Sequence, residues 1–305
     1  MSSNACAWKD LSLQLLNASG CLDALTAPGV ARSLDAFVTK TITPEPREGN
    51  APVRIAETDV GMLNTIGLAN PGRERFLART LPLLRELNVP IWVSVGGFSA
   101  RDYAETCAAL EDVAAVELNL SCPNVDEAPE SAAEIVAACR AATALPLYAK
   151  LSPALPDVAA VARAVEEAGA DGLSLVNTIR GLSLDARTLR PELSRGAGGL
   201  SGPALKPIAL AAVFACRRVT GLPIVGMGGV ASGADALDLI AAGAAAVALG
   251  TILFSDPDAP RRIRAELAAE LSLRGFADAS EARGVAHLAA PASESGVDRR
   301  PRVLS

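Results

Sequence analysis

Short aliphatic runs alternate with longer helical runs along almost the whole chain, and this alternation restricts the possible folds more than any other feature. The short runs have the character of buried β-strands, and in chain order they are LSLQLLN, AFVTK, PIWVSV, AVELNL, LPLYAKL, DGLSLVN, LPIVGM and AAVALG. A helical candidate follows each run, a pattern typical of parallel βα units. The clearest helices are predicted over 73–87, 100–110, 131–142, 157–168, 203–219, 232–242 and 258–271.

The number of βα units predicts a closed barrel. About eight units in about 270 residues match a single (β/α)₈ TIM barrel, whereas a doubly wound sheet usually has fewer strands. We therefore predict an α/β fold with the barrel over residues 1–276. Residues 277–305 lose strong periodicity and are predicted to form a C-terminal extension, part helical and mobile at its end. Two long insertions, 41–71 and 178–202, follow strands at the C-terminal face, where such barrels build active sites.

Composition excludes several kinds of partner. The formal net charge is −6, and nucleic acids and anionic membranes both select clustered Lys and Arg instead. The opening MSSNACAWKD has no basic segment followed by an apolar run, and no stretch approaches the roughly 20 apolar residues that span a bilayer. We expect a soluble, cytoplasmic protein.

Cysteine and histidine usage limits the chemistry. The cysteines include no C-x-x-C pair, which argues against a metal site, a disulfide framework and an iron–sulfur cluster in this chain. The single histidine, His287, lies in the polar tail. Acid–base chemistry is therefore expected from Cys, Lys, Tyr or a carboxylate.

Polar residues stand where the predicted strands end. Ser19, Lys40, Asn119, Lys150 and Asn177 each follow or finish a different strand. One of them alone would fit a capping role equally well. Because parallel strands in a barrel end at one mouth, five such residues together favour a site there.

Two glycine turns suggest a phosphate site. Gly228 and Gly229 follow the seventh strand, and Gly250 and Thr251 follow the eighth. Backbone N–H groups at such turns hold phosphate, although glycine as simple turn punctuation is the alternative. With inward lysines nearby, this pattern favours a phosphorylated cofactor across the barrel mouth.

The lysines and asparagines suggest what lies beside such a cofactor. Lys150 could stabilise negative charge on an electron-accepting ring, and a Schiff-base lysine is the chemical rival. The asparagines favour a planar substrate rich in C=O and N–H groups; they are Asn64, Asn119, Asn124 and Asn177. Cys122, beside Pro123 in a loop, is a candidate nucleophile or base as its thiolate. The alternative is a small buried hydrophobe, the role expected of the other cysteines.

Together the motifs resemble the class 1 dihydroorotate dehydrogenases over about residues 10–275. The motifs are NLSCPN, VTKTITPEPREGNAPVRIAET, GMLNTIGLANPG, LYAKLSP, LVNT, GGLSGPALKP, PIVGMGGV and ALGT. The resemblance implies an FMN-binding barrel that oxidises dihydroorotate to orotate in pyrimidine biosynthesis. It also implies that Cys122 takes a proton from C5 of dihydroorotate while hydride passes from C6 to N5 of the flavin.

The resemblance assigns residues to each ligand. The implied orotate contacts are Lys40, Asn64, Gly67, Leu68, Asn119, Asn124, Asn177 and Thr178. The implied FMN contacts are Ser19, Gly20, Lys40, Thr41, Asn119, Lys150, Val176, Gly202, Gly228, Gly229, Gly250 and Thr251. No metal site is implied.

GMLNTIGLANPG and TGLPIVGMGGV are closer to the class 1B catalytic subunit, which pairs with a chain carrying FAD and a [2Fe–2S] cluster and passes electrons to NAD⁺. A homodimer core is expected from the resemblance. The open alternatives are a fumarate-dependent class 1A enzyme, reduction of a related pyrimidine, and a flavin-binding assembly subunit without turnover. One departure is the short VDEAPES segment after NLSCPN, where the family has a longer loop that closes over the cysteine. We therefore predict an accessible Cys122.

Overall fold

Eight parallel strands form the centre of the molecule. The computed structural model describes residues 14–120 and 132–288. The eight-stranded sheet has the order β1-β12-β11-β8-β7-β6-β5-β2. Its strands are β1 (Gln14–Asn17), β2 (Phe37–Val38), β5 (Ile91–Val95), β6 (Ala115–Asn119), β7 (Leu147–Leu151), β8 (Gly172–Leu175), β11 (Ile224–Met227) and β12 (Ala246–Leu249).

The two edge strands of this sheet meet and close the barrel. Leu16 of β1 and Ala36, just before β2, form a parallel bridge. The Asn17 side chain bonds the backbone of Val38 at the same seam, with Nδ2 2.7 Å from the carbonyl oxygen and Oδ1 2.8 Å from the amide nitrogen. The predicted (β/α)₈ barrel is therefore confirmed, although β2 is shorter than the AFVTK run suggests.

The core has an inner and an outer layer because side chains alternate along each strand. Inside the barrel, Trp92 and Tyr148 lie with ring centroids 4.3 Å apart, among Leu16, Val38 and Met227. The larger outer layer packs the opposite strand faces against the helices. The inner layer becomes polar toward the C-terminal ends of the strands, where Ser94, Glu117 and Lys150 are buried.

Helices surround the barrel near the predicted positions. The segment before β5 contains Arg73–Arg75, a π-helical turn Phe76–Thr80, and Leu81–Arg85. The other α-helices are Pro28–Ala31, Ala100–Ala108, Ala132–Ala142, Val158–Glu167, Lys206–Arg217, Gly233–Ala241, Ile252–Ser255, Ala259–Leu273 and Ala279–Ala282. Short 3₁₀ turns occupy Pro203–Leu205 and Val285–His287. Ser99, Asp157 and Ser232 cap three of the helices by accepting backbone N–H bonds.

A second, four-stranded antiparallel sheet lies on the two long insertions, in the order β3-β4-β10-β9. Its strands are β3 (Ile55–Thr58), β4 (Gly61–Asn64), β9 (Ile179–Gly181) and β10 (Gly198–Ser201). We call it the rim sheet. The sequence did not predict it, because strands this short and rich in glycine have little periodicity of their own.

The described part of the C-terminal extension packs on the barrel's helices. Ala279 and Ala282 are buried, and the His287 ring stacks on Phe214 with centroids 4.1 Å apart. The division of the chain at residue 277 stays a prediction, and residues 289–305 lie outside the described part. Across 14–120 and 132–288, the helices are all too short or too polar to cross a bilayer.

Candidate functional site

A cavity of about 280 Å³ opens where the barrel strands end at their carboxyl side. Its walls come from the turns after β1, β2, β6, β7, β8, β11 and β12, and from the rim sheet. The sequence-predicted residues that line it are Ser19, Gly20, Lys40, Thr41, Asn64, Leu68, Asn119, Lys150, Val176, Asn177, Thr178, Gly202, Gly228, Gly229, Gly250 and Thr251. Barrel topology thus brings together residues that lie far apart in sequence.

Three predicted site residues are not seen at the cavity. Gly67 does not line it; its carbonyl accepts a bond from Arg47 Nε at 3.3 Å in the insertion after β2. Cys122 and Asn124 lie outside the described residues, as does the short segment after them. Their predicted roles, and the accessibility of Cys122, stay predictions.

A buried ion pair forms one part of the cavity floor. Lys150 Nζ lies 3.4 Å from Glu117 Oε1 and donates to Ser19 Oγ at 3.0 Å. The side chains of Lys150 and Glu117 are only 6% and 1% exposed. A cation and its counter-ion are therefore held inside the barrel, next to the open space.

A row of hydrogen bonds leads from Asn177 to the same carboxylate. Asn177 Nδ2 donates to Asn119 Oδ1 at 3.0 Å, and Asn119 Nδ2 donates to Thr41 Oγ1 at 3.3 Å. Thr41 Oγ1 lies 2.9 Å from Ser94 Oγ, which donates to Glu117 Oε1 at 3.2 Å. Because these partners hold the side chains, the amides and hydroxyls of the cavity have fixed orientations.

The turn after β12 leaves room for a bulky anion, whereas a Cβ on Gly228 or Gly229 after β11 would meet Ala209 Cβ at 2.9 Å or Lys206 Cβ at 2.7 Å. Gly228 and Gly229 have φ of 125° and 72°, where L-residues are strained. A Cβ on Gly250 would have only Ala18 Cβ and Cys21 Sγ near it, both at 3.9 Å, so open space faces this backbone. The turns after β11 and β12 therefore fit a phosphate group bound by backbone N–H groups.

Sequence reasoning missed several residues in the cavity wall and directly beneath it. Glu117 is the most informative; it does not line the cavity but supports Lys150 from below, and its one signal was an acidic residue inside the buried run VELNL. Cys21 lines the cavity; burial raises the pKa of its thiol above the ordinary value, against the opposing effect of Lys150 and Lys40. The apolar part of the lining includes Ile55, Met62, Ile66, Met227 and Phe254.

The fold and cavity define a (β/α)₈ barrel protein with a cationic, amide-rich site at its C-terminal face. A family model described as dihydroorotate dehydrogenase matches residues 2–271. The chain belongs to the dihydroorotate dehydrogenase family.

Curated relatives are named dihydroorotate dehydrogenase B (NAD(+)), catalytic subunit. The relative from Listeria welshimeri is 43% identical over 258 residues, covering 81% of this chain and 85% of its own. The relative from Geobacillus kaustophilus is 44% identical, with 82% and 83% covered. The relative from Latilactobacillus sakei is 45% identical, with 86% and 91% covered. The predicted resemblance to class 1B is thus confirmed.

A solved structure of the dihydroorotate dehydrogenase of Eimeria tenella in complex with ferulenol has the same fold. It superimposes with a TM-score of 0.77 at 24% identity, over 90% of this chain and 85% of that chain. At this identity the likeness supports the barrel alone.

Proposed function

We propose that this chain is the catalytic subunit of a class 1B dihydroorotate dehydrogenase, which oxidises dihydroorotate to orotate with FMN in pyrimidine biosynthesis. The observation that carries the proposal is the joint placement of Lys40, Lys150, Asn119 and Asn177 at one cavity in a chain of this family. Bound FMN would supply the two-electron acceptor, a chemistry that no side chain provides.

The residues that would hold FMN occupy two sides of the cavity. Backbone N–H groups of Gly228, Gly229, Gly250 and Thr251 would bind the phosphate, at the turns after β11 and β12. Lys150 would place its ammonium beside the flavin ring, where a fixed cation favours the reduced form. The other proposed contacts are Ser19, Gly20, Lys40, Thr41, Asn119, Val176 and Gly202.

The amides of the cavity would orient the pyrimidine. Asn119 and Asn177 are already bonded to each other, and Asn64 approaches from the rim sheet with Nδ2 3.3 Å from the Gly199 carbonyl oxygen. Lys40 would bind the substrate carboxylate, which distinguishes dihydroorotate from simpler dihydropyrimidines. Leu68, Asn124 and Thr178 complete the proposed set.

Cys122 is the proposed base. Its thiolate would take the proton from C5 of dihydroorotate, a role that requires deprotonation and access to the substrate. This assignment rests on its position in NLSCPN directly after β6, the strand that ends in Asn119.

The proposed electron route leads out of the chain. The named relatives are catalytic subunits of NAD⁺-dependent enzymes. We therefore propose a second subunit with FAD and a [2Fe–2S] cluster as the electron acceptor, NAD⁺ as the final oxidant, and a homodimer of this chain as the core.

The test is anaerobic mixing of the purified yellow protein with dihydroorotate while the visible flavin absorbance is recorded. Rapid bleaching is expected, with one equivalent of orotate formed per flavin. A protein that keeps its flavin absorbance under these conditions contradicts the proposal. Dihydrouracil, which lacks the carboxylate, serves as the control substrate and should bleach the flavin far more slowly.

A further inference from the structure

We infer that Glu117 is a positioning residue: its buried carboxylate fixes the Lys150 ammonium and sets the direction of the hydrogen-bond row that ends at Asn177. The inference deepens the proposed function and rests on it for what Lys150 and Asn177 contact. An ionised acid buried inside a barrel destabilises the fold unless it is paired.

The strand register explains why one carboxylate reaches both groups. Glu117 and Asn119 lie two residues apart on β6, so both side chains point into the barrel, with Glu117 one layer deeper. Ser94 is its register partner on β5, and Lys150 lies beside Asn119 on β7. Glu117 Oε1 accepts from both, at 3.2 Å from Ser94 Oγ and 3.4 Å from Lys150 Nζ.

A carboxylate accepts hydrogen bonds and donates none when ionised, which orders the whole row. Since the Ser94 hydroxyl donates its one hydrogen bond to Glu117, Ser94 Oγ must accept a hydrogen bond from Thr41 Oγ1, 2.9 Å away. Thr41 then accepts from Asn119 Nδ2, which leaves Asn119 Oδ1 to accept from Asn177 Nδ2. Each donor in the row therefore points toward Glu117, and the amide faces offered to the cavity follow from that one charge.

Fold stability does not explain the pair. Replacing a buried ion pair by apolar residues of similar volume is often neutral or stabilising. The layer of the barrel interior just below Glu117 is in fact apolar and contains Trp92, Ala115 and Tyr148. A residue kept for stability would match that layer. A residue that positions Lys150 and the amides must instead be an acceptor at this place.

A double-mutant cycle tests whether Glu117 acts through Lys150. Glu117→Gln, Lys150→Met and the double variant are prepared as holoprotein, and the FMN dissociation constant and rate of flavin reduction are measured. Glu117→Gln keeps an acceptor oxygen but removes the negative charge that holds the Lys150 ammonium, so we expect about tenfold weaker FMN binding and slower reduction, the usual effect of weakening a bond to a charged group. The double variant should be no worse than Lys150→Met in FMN binding. The double variant should also melt at a higher temperature than Lys150→Met, since Lys150→Met leaves the Glu117 carboxylate buried without a partner.

The inference is overturned if Glu117→Gln weakens FMN binding and slows flavin reduction by the same factors with and without Lys150→Met. It is also overturned if Glu117→Gln lowers the melting temperature but leaves FMN binding and the rate of reduction unchanged. Ser174→Ala is the matched control. Ser174 is the register partner of Lys150 on β8, and its buried hydroxyl has no hydrogen-bond partner in the described structure. We expect Ser174→Ala to change neither the FMN dissociation constant nor the rate of flavin reduction.

A crystal structure of Glu117→Gln keeps the two proposals separable. Lys150 Nζ should leave the 3.0 Å contact with Ser19 Oγ; an unmoved ammonium contradicts the positioning role even if the enzyme is inactive. If the unmodified protein is not bleached by dihydroorotate, the proposed function fails, while this distance and the melting-temperature cycle still test Glu117. Should Glu117→Gln not fold, Ser94→Ala removes one arm of the row, and it is expected to slow reduction while leaving the Lys150–Ser19 contact in place.

Discussion

The carboxamide of Asn17 bonds both backbone groups of Val38, taking the place of a strand-to-strand pair where the barrel closes. Its Nδ2 donates to the Val38 carbonyl at 2.7 Å and its Oδ1 accepts from the Val38 N–H at 2.8 Å. Asp35 reinforces the seam, because its Oδ2 accepts from the Leu15 N–H at 2.7 Å and lies 3.0 Å from Arg264. Two polar side chains therefore join the first strand to the second.

Asn17→Ala should destabilise the fold by about 2–4 kcal/mol, because it leaves a buried N–H and a buried C=O without partners. The free energy of unfolding in urea is the measurement. Asn88→Gly is the matched control: it removes an exposed carboxamide at a residue with φ of 55°, a conformation that suits glycine. A loss as small in Asn17→Ala as in the control would show that the seam is held by other contacts.

Asp235 should make stability pH-dependent. Burial alone would raise the pKa of its carboxyl, but bonds from Lys206, the Ala231 N–H and Ser232 outweigh this and lower it. A lowered pKa contributes stability above the unfolded value of about 3.9, and this contribution is lost as pH falls through the folded pKa. Asp235→Asn should therefore cost about 1–2 kcal/mol at neutral pH and progressively less as pH falls below the unfolded value of about 3.9, measured by urea unfolding.

Asp238→Asn is the control for that experiment. Asp238 Oδ2 lies 2.7 Å from the same Lys206 Nζ, but its side chain is 53% exposed. The expected loss is below about 0.5 kcal/mol, as for most exposed ion pairs. Equal losses in the two variants would mean that the bonds to the Ala231 and Ser232 groups contribute nothing.

Gly250→Ala should weaken FMN binding without unfolding the protein. The new methyl group would contact only Ala18 and Cys21, both at 3.9 Å, so the fold tolerates it. It would, however, occupy the space in which phosphate approaches the backbone, and a loss of about tenfold in affinity is expected, equal to about 1.4 kcal/mol. Fluorescence titration of apoprotein with FMN gives the affinity. Gly221→Ala, with open space around its position, should change neither affinity nor melting temperature.

Cys122→Ser should keep its flavin and lose most of the reduction rate at neutral pH. A hydroxyl is a far weaker base than a thiolate, so a loss of roughly 10²–10⁴-fold is expected. Stopped-flow bleaching with dihydroorotate is the measurement, and the loss should narrow as pH rises. Cys107→Ala, which alters a buried thiol on the outer layer, should reduce normally. An undiminished rate in Cys122→Ser removes this residue from the mechanism.

The sequence predicts the barrel well because each strand and helix has a strong period of its own. Lys40, Asn119, Lys150 and Asn177 could be assigned to one mouth since parallel strands all end on the same side. These positions follow from local pattern and topology together. Their binding roles, like that of Cys122, stay predictions.

Glu117 and the rim sheet could not be found in this way. The partner of Glu117, Lys150, lies 33 residues further along the chain, and their contact depends on the register of β6 and β7. Strands β3, β4, β9 and β10 have three or four residues each, too few for a visible alternation. Long-range pairing, which a single sequence does not encode locally, decides both features.

The rim sheet also has a consequence for how the protein is made. Asn64 on β4 reaches Gly199 on β10 across 135 residues of chain. At a synthesis rate of roughly 5–20 residues per second, β4 leaves the ribosome about 7–27 seconds before its partner exists. During this interval the β4 edge of the β3–β4 hairpin has no partner strand, and it stays unpaired until the insertion after β8 has been synthesised. The wall of the site that carries Asn64 is thus completed late in biosynthesis, and nascent chains that end before β10 cannot form it.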